Sequence, residues 1–176
     1  MTIFKILYFY LPAALANMAP ILFKWIPFLT FPLDFNKKFR DKPILGKNKT
    51  FRGILCGILI AILVTILQYQ FYPRLKEISY INYQSINPII LGFLFGFGTL
   101  FGDAVKSFFK RQFEIAPGKS WIPFDQLDWI ISVNIFLYFY IPLPVYFIFL
   151  SIIIFGILHP CANLLGYYLK IKKNKL

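Results

Sequence analysis

Three residue types that often carry protein chemistry are scarce in this sequence of 176 residues: it has two cysteines, one histidine and seven acidic residues. Cys56 and Cys161 both lie within apolar segments, which excludes a disulfide framework and a zinc site. We interpret His159 and Asn134, also in apolar segments, as hydrogen-bonding groups between helices. Any chemistry is therefore to be sought among the carboxylates and the cations.

Negative charge is scarce as well: nineteen Lys and Arg against seven Asp and Glu give a net charge of +12. The basic residues are concentrated, with seven in residues 30–53, four in 102–128 and four in 170–176. This clustering is typical of membrane orientation and of attraction to anionic lipid headgroups. The charge therefore does not indicate a nucleic-acid partner.

Apolar residues dominate the chain, at 59% of the sequence with a mean hydropathy of +0.66. Apolar runs cover residues 3–29, 53–72, 88–101 and 129–169, and the prolines of IPLP at 141–144 divide the last run. The pattern predicts an all-α integral membrane protein, a single domain over residues 1–176 with five transmembrane helices. The third helix is expected to continue past Gly102.

The placement of the basic segments predicts the orientation. With five helices, the two basic loops and the basic tail lie on one side of the membrane, which the positive-inside rule assigns to the cytoplasm. We therefore expect a multi-pass cell-membrane protein with its N-terminus outside and its C-terminus in the cytoplasm.

The end of the third predicted helix combines acids with cations. At about 100° per residue, an arc of about 140° carries Asp103, Lys106, Ser107, Lys110 and Arg111. Asp125 and Asp128, three residues apart, face one way at the start of the next helix. Taken separately, these groups have ordinary explanations as helix-dipole partners or as cations reaching the membrane surface.

The combination favours a functional interpretation. A carboxylate at position 103, inside the end of an apolar segment, is unfavourable unless it is paired or bound to metal. If the third and fourth helices pack side by side, three carboxylates converge, and hard oxygen ligands suit Mg²⁺ together with substrate phosphates. Neighbouring cations would bind the same phosphates. The pattern predicts phosphoryl or nucleotidyl transfer on the cytoplasmic side.

The loop before the second apolar run is rich in hydrogen-bond donors. It reads LGKNKTFRG at residues 45–53 and precedes a predicted helix, whose N-terminal amides would suit an anion. The spacing of a phosphate-binding P-loop is absent. A basic loop lying on an anionic membrane remains the alternative.

Four segments together resemble the CDP-archaeol synthases, membrane cytidylyltransferases related to the CDP-diacylglycerol synthases. They are LPAALANMAP, PLDFNKKFRDKPILGKNKTFRG, FGDAVKSFFKR and PFDQLD. The resemblance covers nearly the whole chain. It implies a Mg²⁺-dependent reaction of CTP with an archaeal ether lipid phosphate, digeranylgeranylglycerol phosphate, giving a CDP-activated lipid and pyrophosphate.

The resemblance also implies residue roles. The metal-binding acids would be Asp103, Asp125 and Asp128, and the catalytic set would be these three with Lys110. Nucleotide and phosphate binding would fall to Asn48, Lys49, Thr50, Arg52, Lys106, Ser107, Lys110, Arg111 and Gln126.

Three alternatives stay open. A diacylglycerol-type enzyme would act on an ester lipid phosphate. A small transporter would place its ionisable groups near the bilayer midplane, often in repeats, whereas these acids cluster near helix ends. A non-enzymatic membrane anchor would not need three converging acids. Membrane lipids are partners in every case, and a homodimer is kept as an alternative to the monomer.

Overall fold

The computed structural model describes residues 2–116 and 119–168, and this part of the chain is mostly helical. The helices are α1 (Thr2–Phe9), α2 (Leu11–Leu22), α3 (Phe51–Leu75), α4 (Pro88–Gln112), α5 (Phe124–Tyr138) and α6 (Val145–Tyr168), with a short 3-10 helix at Tyr83–Ser85. The basic tail at 170–176, part of the argument for a cytoplasmic C-terminus, lies outside the described residues.

Two features of the helices match the expectation. The third predicted helix continues past Gly102 to Gln112, and IPLP separates α5 from α6. Among the described residues, α3 and α4 are long and apolar enough to cross a membrane, and the α1–α2 pair is a third candidate span. A helical membrane protein is confirmed at this level.

The first predicted helix, over residues 3–29, is wrong as a single element. The chain bends by 45° between α1 and α2, and α2 ends at Leu22. Pro12 occupies the first turn of α2, where its missing N–H would have had no partner within the helix. Pro27 lies beyond the end of the helix, and the residue before a proline disfavours the α conformation.

The all-α prediction needs one further correction. Two-residue strands, β1 (Lys38–Phe39) and β2 (Lys42–Pro43), pair antiparallel in the loop between α2 and α3. The turn residues Arg40 and Asp41 both have positive φ, 50° and 60°, which is the backbone of the tight two-residue hairpin turn.

Glycines set the spacing of the central helices. A Cβ added to Gly92 would come within 2.5 Å of Ile62 Cα, and one added to Gly96 within 2.7 Å of Ile58 Cα. Glycines four residues apart let two membrane helices approach along their backbones. The α3–α4 contact is therefore a backbone-to-backbone contact.

The α4–α5 contact is equally close at Gly102. An added Cβ there would overlap the carbonyl oxygen of Asp128 and approach Ser132 Cβ to 2.6 Å. This contact brings the backbones of α4 and α5 together beside Asp103 and Asp128. The packing of the helices thus positions both carboxylates.

The core between α1, α4, α5 and α6 is aromatic. Phe9 packs edge-on against Phe95 and Phe147, with ring centroids 5.2 and 5.7 Å apart. The hydroxyl of Tyr10 donates to Asn134 Oδ1 at 2.5 Å, and Asn134 Nδ2 donates to Ser151 Oγ at 3.2 Å. Asn134 therefore joins three parts of the chain, which confirms its interpretation as a group that hydrogen-bonds between helices.

Candidate active site

Lys106 lies between the three aspartates at the junction of α4 and α5. Its Nζ is 3.0 Å from Asp103 Oδ1, 3.4 Å from Asp125 Oδ1 and 2.9 Å from Asp128 Oδ2. Asp103 precedes Lys106 by one helical turn on α4, and the two other acids come from the first turns of α5. The predicted convergence of the three carboxylates is present.

Two more lysines complete the charged group. Lys110 Nζ lies 3.0 Å from Asp125 Oδ2 and donates to the carbonyl oxygen of Lys119 at 2.6 Å. Lys49, from the loop before α3, forms an ion pair with Asp103. We call these residues the aspartate–lysine cluster: Asp103, Asp125, Asp128, Lys49, Lys106 and Lys110. With every group ionised, its three negative and three positive charges cancel.

Asp128 is the most deeply buried acid of the cluster, with 6% of its side chain exposed. Its Oδ1 is buried and has no hydrogen-bond partner among the described residues. A buried carboxylate oxygen without a partner is unfavourable. Such an oxygen is available to a ligand that arrives later.

One backbone contact orients Asp125, and another holds Ser107. The backbone N–H of Trp121 donates to Asp125 Oδ2 at 2.6 Å, which holds that carboxylate at the start of α5. The Ser107 hydroxyl donates to the carbonyl oxygen of Asp103 at 2.8 Å, a common contact of serine one helical turn later. Ser107 is thus bonded to the backbone of its own helix.

Asp34 organises the loop that carries Lys49, a role that sequence reasoning missed. Its Oδ2 accepts from the N–H groups of Leu45 and Gly46 at 2.8 and 2.9 Å, and its Oδ1 accepts from Asn36 N–H at 3.0 Å. Burial acts to raise the pKa of Asp34, but these donors outweigh it and lower the pKa below its ordinary value. The signal in the sequence was an aspartate that begins a turn two residues before Asn36.

Three predicted phosphate-binding residues of the LGKNKTFRG loop, Lys49, Thr50 and Arg52, make three different contacts. Thr50 is the N-cap of α3, and its hydroxyl accepts from Gly53 N–H at 3.2 Å. Arg52 donates to the carbonyl oxygens of Lys24 and Ile26 at 2.9 and 2.5 Å. Lys49 alone of these three contacts an acid of the cluster. Thr50 and Arg52 thus hold the turn in place.

Three more predicted residues lie near the cluster. Asn48 lines a small cavity together with Lys49 and Asp103. Arg111 donates to the carbonyl oxygen of Ile115 at 2.9 Å. Gln126, next to Asp125 on α5, is buried, and its Oε1 has no partner within the described part of the chain.

Lys42 connects the hairpin formed by β1 and β2 to the end of α4. Lys42 donates to the carbonyl oxygen of Gln112 at 2.9 Å and pairs with Glu114 at 2.8 Å. The hydrogen bond and the charge of Lys42 lower the pKa of the exposed Glu114 carboxyl. The hairpin is thereby attached to the helix that carries the cluster.

The carboxylate oxygens of the aspartate–lysine cluster suit a magnesium ion, although they do not form a metal site as they stand. Carboxylate oxygens are the ligands that Mg²⁺ prefers, and Asp128 Oδ1 is buried without a partner. Within residues 2–116 and 119–168, no three acidic, histidine or cysteine side chains are grouped closely enough to hold a metal ion as they stand. The ammonium group of Lys106 lies between the three acids, which is why they form no metal site as they stand.

A family model described as "CarS-like: CDP-archaeol synthase" matches residues 1–175. The chain belongs to the CDP-archaeol synthase family. The resemblance inferred from the four sequence segments is thereby confirmed. Membership makes the protein an enzyme, a CTP-dependent nucleotidyltransferase of phospholipid biosynthesis.

Individual members of the CDP-archaeol synthase family are similar along almost their whole length. A protein of this name from Methanococcus maripaludis is 37% identical over 175 residues, 97% of this chain and 95% of the relative. Its namesake from Pyrococcus furiosus is 30% identical over 171 residues, 97% of this chain and 96% of the relative.

The fold also has a counterpart among solved structures. A structure described as "an intramembrane enzyme for archaeal membrane lipids biosynthesis" superposes with a TM-score of 0.68 at 22% identity. The match covers 90% of this chain and 92% of the other. The likeness supports the membrane fold of this CDP-archaeol synthase family member.

Proposed function

We propose that the protein transfers CMP from CTP to an archaeal ether lipid phosphate, digeranylgeranylglycerol phosphate, with Mg²⁺ as the cofactor. The products are a CDP-archaeol-type lipid and pyrophosphate. One observation carries the proposal: in a chain of this family, three carboxylates and three ammonium groups meet where α4 and α5 touch. This is a set of charges suited to a metal nucleotide.

The transfer exchanges one phosphoanhydride linkage for another. A lipid phosphate oxygen attacks the α-phosphorus of CTP, a new P–O bond forms, and the bond from the α-phosphorus to the bridging oxygen breaks. The lipid phosphate is already an anion at neutral pH, so the reaction needs no strong general base. This is consistent with a site built from carboxylates and lysines rather than histidine.

The cations and the acids have separate tasks in this mechanism. Lys49, Lys110 and Arg111 would bind phosphate oxygens and stabilise the charge that develops on the departing pyrophosphate. Asp103, Asp125 and Asp128 would hold Mg²⁺. When bound, the metal neutralises phosphate charge and orients the nucleotide.

We also propose five membrane spans, with the N-terminus outside and the cluster at the cytoplasmic face. Support comes from the basic loops, which flank α3 and α4 at the ends that meet in the cluster. In a background lacking Cys56 and Cys161, cysteines introduced at Lys47 and Lys119 should react only with reagents on the cytoplasmic side. A cysteine at Ile78 should react from outside, and reaction of all three from one face would refute the topology.

The direct test is product identification. Purified protein is incubated with CTP, Mg²⁺ and either an ether or an ester lipid phosphate, and CDP-lipid is identified by its mass. We expect product from the ether lipid, none without divalent metal, and little with Asp128→Asn. Product from the ester lipid alone would favour the diacylglycerol-type activity, and no product from either lipid would overturn the proposal.

A further inference from the structure

Lys106 holds the place that a metal ion would take among the three aspartates. Its ammonium nitrogen lies within 3.4 Å of an oxygen of each acid. Mg²⁺ needs oxygens at about 2.0–2.1 Å, so it cannot share this space with the ammonium group. Building on the proposed function, we propose that Lys106 is a resident cation of the metal site, which Mg²⁺ displaces when it arrives with a nucleotide.

The charge of the cluster supports displacement. Three carboxylates are matched by three ammonium groups, so a divalent ion entering the cluster would add two positive charges without compensation. In a partly buried site such an excess is strongly unfavourable. Release of one lysine and the negative charge of a nucleotide together remove the excess. Metal and nucleotide should therefore bind the wild-type protein together rather than singly.

Lys106 is the lysine whose release frees the most metal ligands. It contacts all three acids, whereas Lys49 pairs with Asp103 and Lys110 pairs with Asp125. Lys110 is additionally held by the carbonyl oxygen of Lys119 at 2.6 Å. A lysine has a long flexible stem and a single charged head, so Lys106 can leave the acids by rotation of its side chain. The freed ammonium group would then contact a phosphate of the bound nucleotide.

The first measurement compares metal affinity without nucleotide. Mn²⁺ serves as a paramagnetic probe, and its binding is followed by electron paramagnetic resonance in the wild type and in Lys106→Met. We expect the variant to bind Mn²⁺ at least about tenfold more tightly, because a competing charge is removed from between the ligands. Lys37→Met, which removes an exposed lysine of the basic hairpin loop, should bind as the wild type does.

The second measurement is thermal melting of the same proteins. Lys106→Met leaves three carboxylates with two lysines, so we expect a lower melting temperature without metal and a larger rise on addition of Mg²⁺ than in the wild type. If Lys106→Met does not fold without metal, the comparison is repeated with Lys106→Gln, whose amide still donates hydrogen bonds to the acids. The Lys37→Met control should show the wild-type response to Mg²⁺.

The outcomes separate this inference from the proposed function. Equal or weaker Mn²⁺ binding by the Lys106 variants overturns the displacement, even if the wild type forms CDP-lipid. Tighter binding supports it, even where a variant no longer turns over. Failure of every variant and the wild type to bind Mn²⁺ in the presence of CTP overturns both the displacement and the metal site.

Discussion

The protein contains two polar networks of opposite character, one buried and one partly buried. The network of Tyr10, Asn134 and Ser151 is neutral, and each hydroxyl and amide nitrogen in it donates to an oxygen at 2.5–3.2 Å. The aspartate–lysine cluster is ionic, and it leaves Asp128 Oδ1 without a partner among the described residues. Both join side chains of packed helices, and the cluster also includes Lys49 from the loop before α3.

This difference is the one expected between groups that hold the fold and the groups to which our proposed function assigns a ligand. A neutral network with its partners in place rigidifies a helix bundle at modest free-energy cost. An ionic network with an unpaired buried oxygen is unfavourable by itself, and such violations are expected at functional sites. Breaking the first network should therefore lower stability, and breaking the second should lower activity.

The largest effect is expected from Asp128→Asn. The substitution keeps the size of the side chain but removes a charge, and Lys106 retains Asp103 and Asp125 as partners. We expect turnover to fall by at least about 100-fold, the scale seen when a group stabilising the transition state is lost, with little change in melting temperature. CDP-lipid formation is measured against Mg²⁺ concentration, with melts on the same samples. A near-normal rate with unchanged metal dependence would refute the assignment of Asp128 as a metal ligand.

A smaller effect is expected from the cations that we propose bind phosphate. Lys110→Ala and Arg111→Lys should both raise the KM for CTP by roughly tenfold or more while the protein stays folded. The first variant removes a positive charge. The second keeps the charge, but a lysine cannot form the bidentate hydrogen bonds of an arginine to phosphate. Initial rates measured at a series of CTP concentrations test this expectation. Wild-type kinetics in Arg111→Lys would assign Arg111 to its contact with the Ile115 carbonyl oxygen instead.

Asp34→Asn tests whether the cluster depends on its supporting loop. Asparagine offers one acceptor oxygen where Asp34 uses two, so the bonds to Leu45 and Gly46 or the bond to Asn36 must be lost. We expect a KM for CTP several-fold higher, a smaller effect than loss of a phosphate ligand, because Lys49 is displaced rather than removed. An unchanged KM would show that the loop is positioned by other contacts.

The stability difference between the wild type and Asp34→Asn should also depend on pH. The folded-state pKa of Asp34 is lowered, so its stabilisation is present above the unfolded value of about 3.9 and is lost as the pH falls through the folded-state pKa. The stability gap between wild type and Asp34→Asn should therefore be constant near neutral pH and narrow in acid. Melts across this range measure it, and a gap that widens in acid would contradict the assignment.

The smallest effect on catalysis is expected from Tyr10→Phe. It removes the hydroxyl that donates to Asn134 but leaves the ring among Phe95, Phe147 and Phe155. We expect the free energy of unfolding to fall by about 1 kcal/mol, with the rate per folded molecule unchanged. A clear loss of turnover would show that the two networks are coupled after all.

The charged cluster was the more predictable of the two networks. The spacing of Asp103, Lys106 and Lys110 on one helix, and of Asp125 and Asp128 on the next, follows from helical periodicity alone. The convergence depended on α4 and α5 packing side by side, a condition that helical periodicity does not supply. That Lys106 contacts all three acids depends on side-chain conformation and did not follow from spacing.

Other parts of the structure were missed, one despite a local signal and one because it depends on contacts distant in sequence. The break between α1 and α2 had a local signal in Pro12, which the apolar character of the segment outweighed in our prediction. The link from Asp34 to Leu45 and Gly46 spans eleven and twelve residues of chain, so no local periodicity reports it. Arg52 as a phosphate ligand stays a prediction, because its observed partners are backbone carbonyls of a preceding loop.

The contact at Gly102 has a mechanical consequence. The two helices meet along a seam, because a Cβ added to Gly98, one turn before Gly102, would also come within 3.0 Å of Val133 Cα. Asp103 follows Gly102 on one side of this seam, and Asp128 supplies the carbonyl oxygen that Gly102 faces on the other. The distance between the main chains of the two aspartates is therefore set by backbone packing, which leaves no room for a larger side chain at position 102.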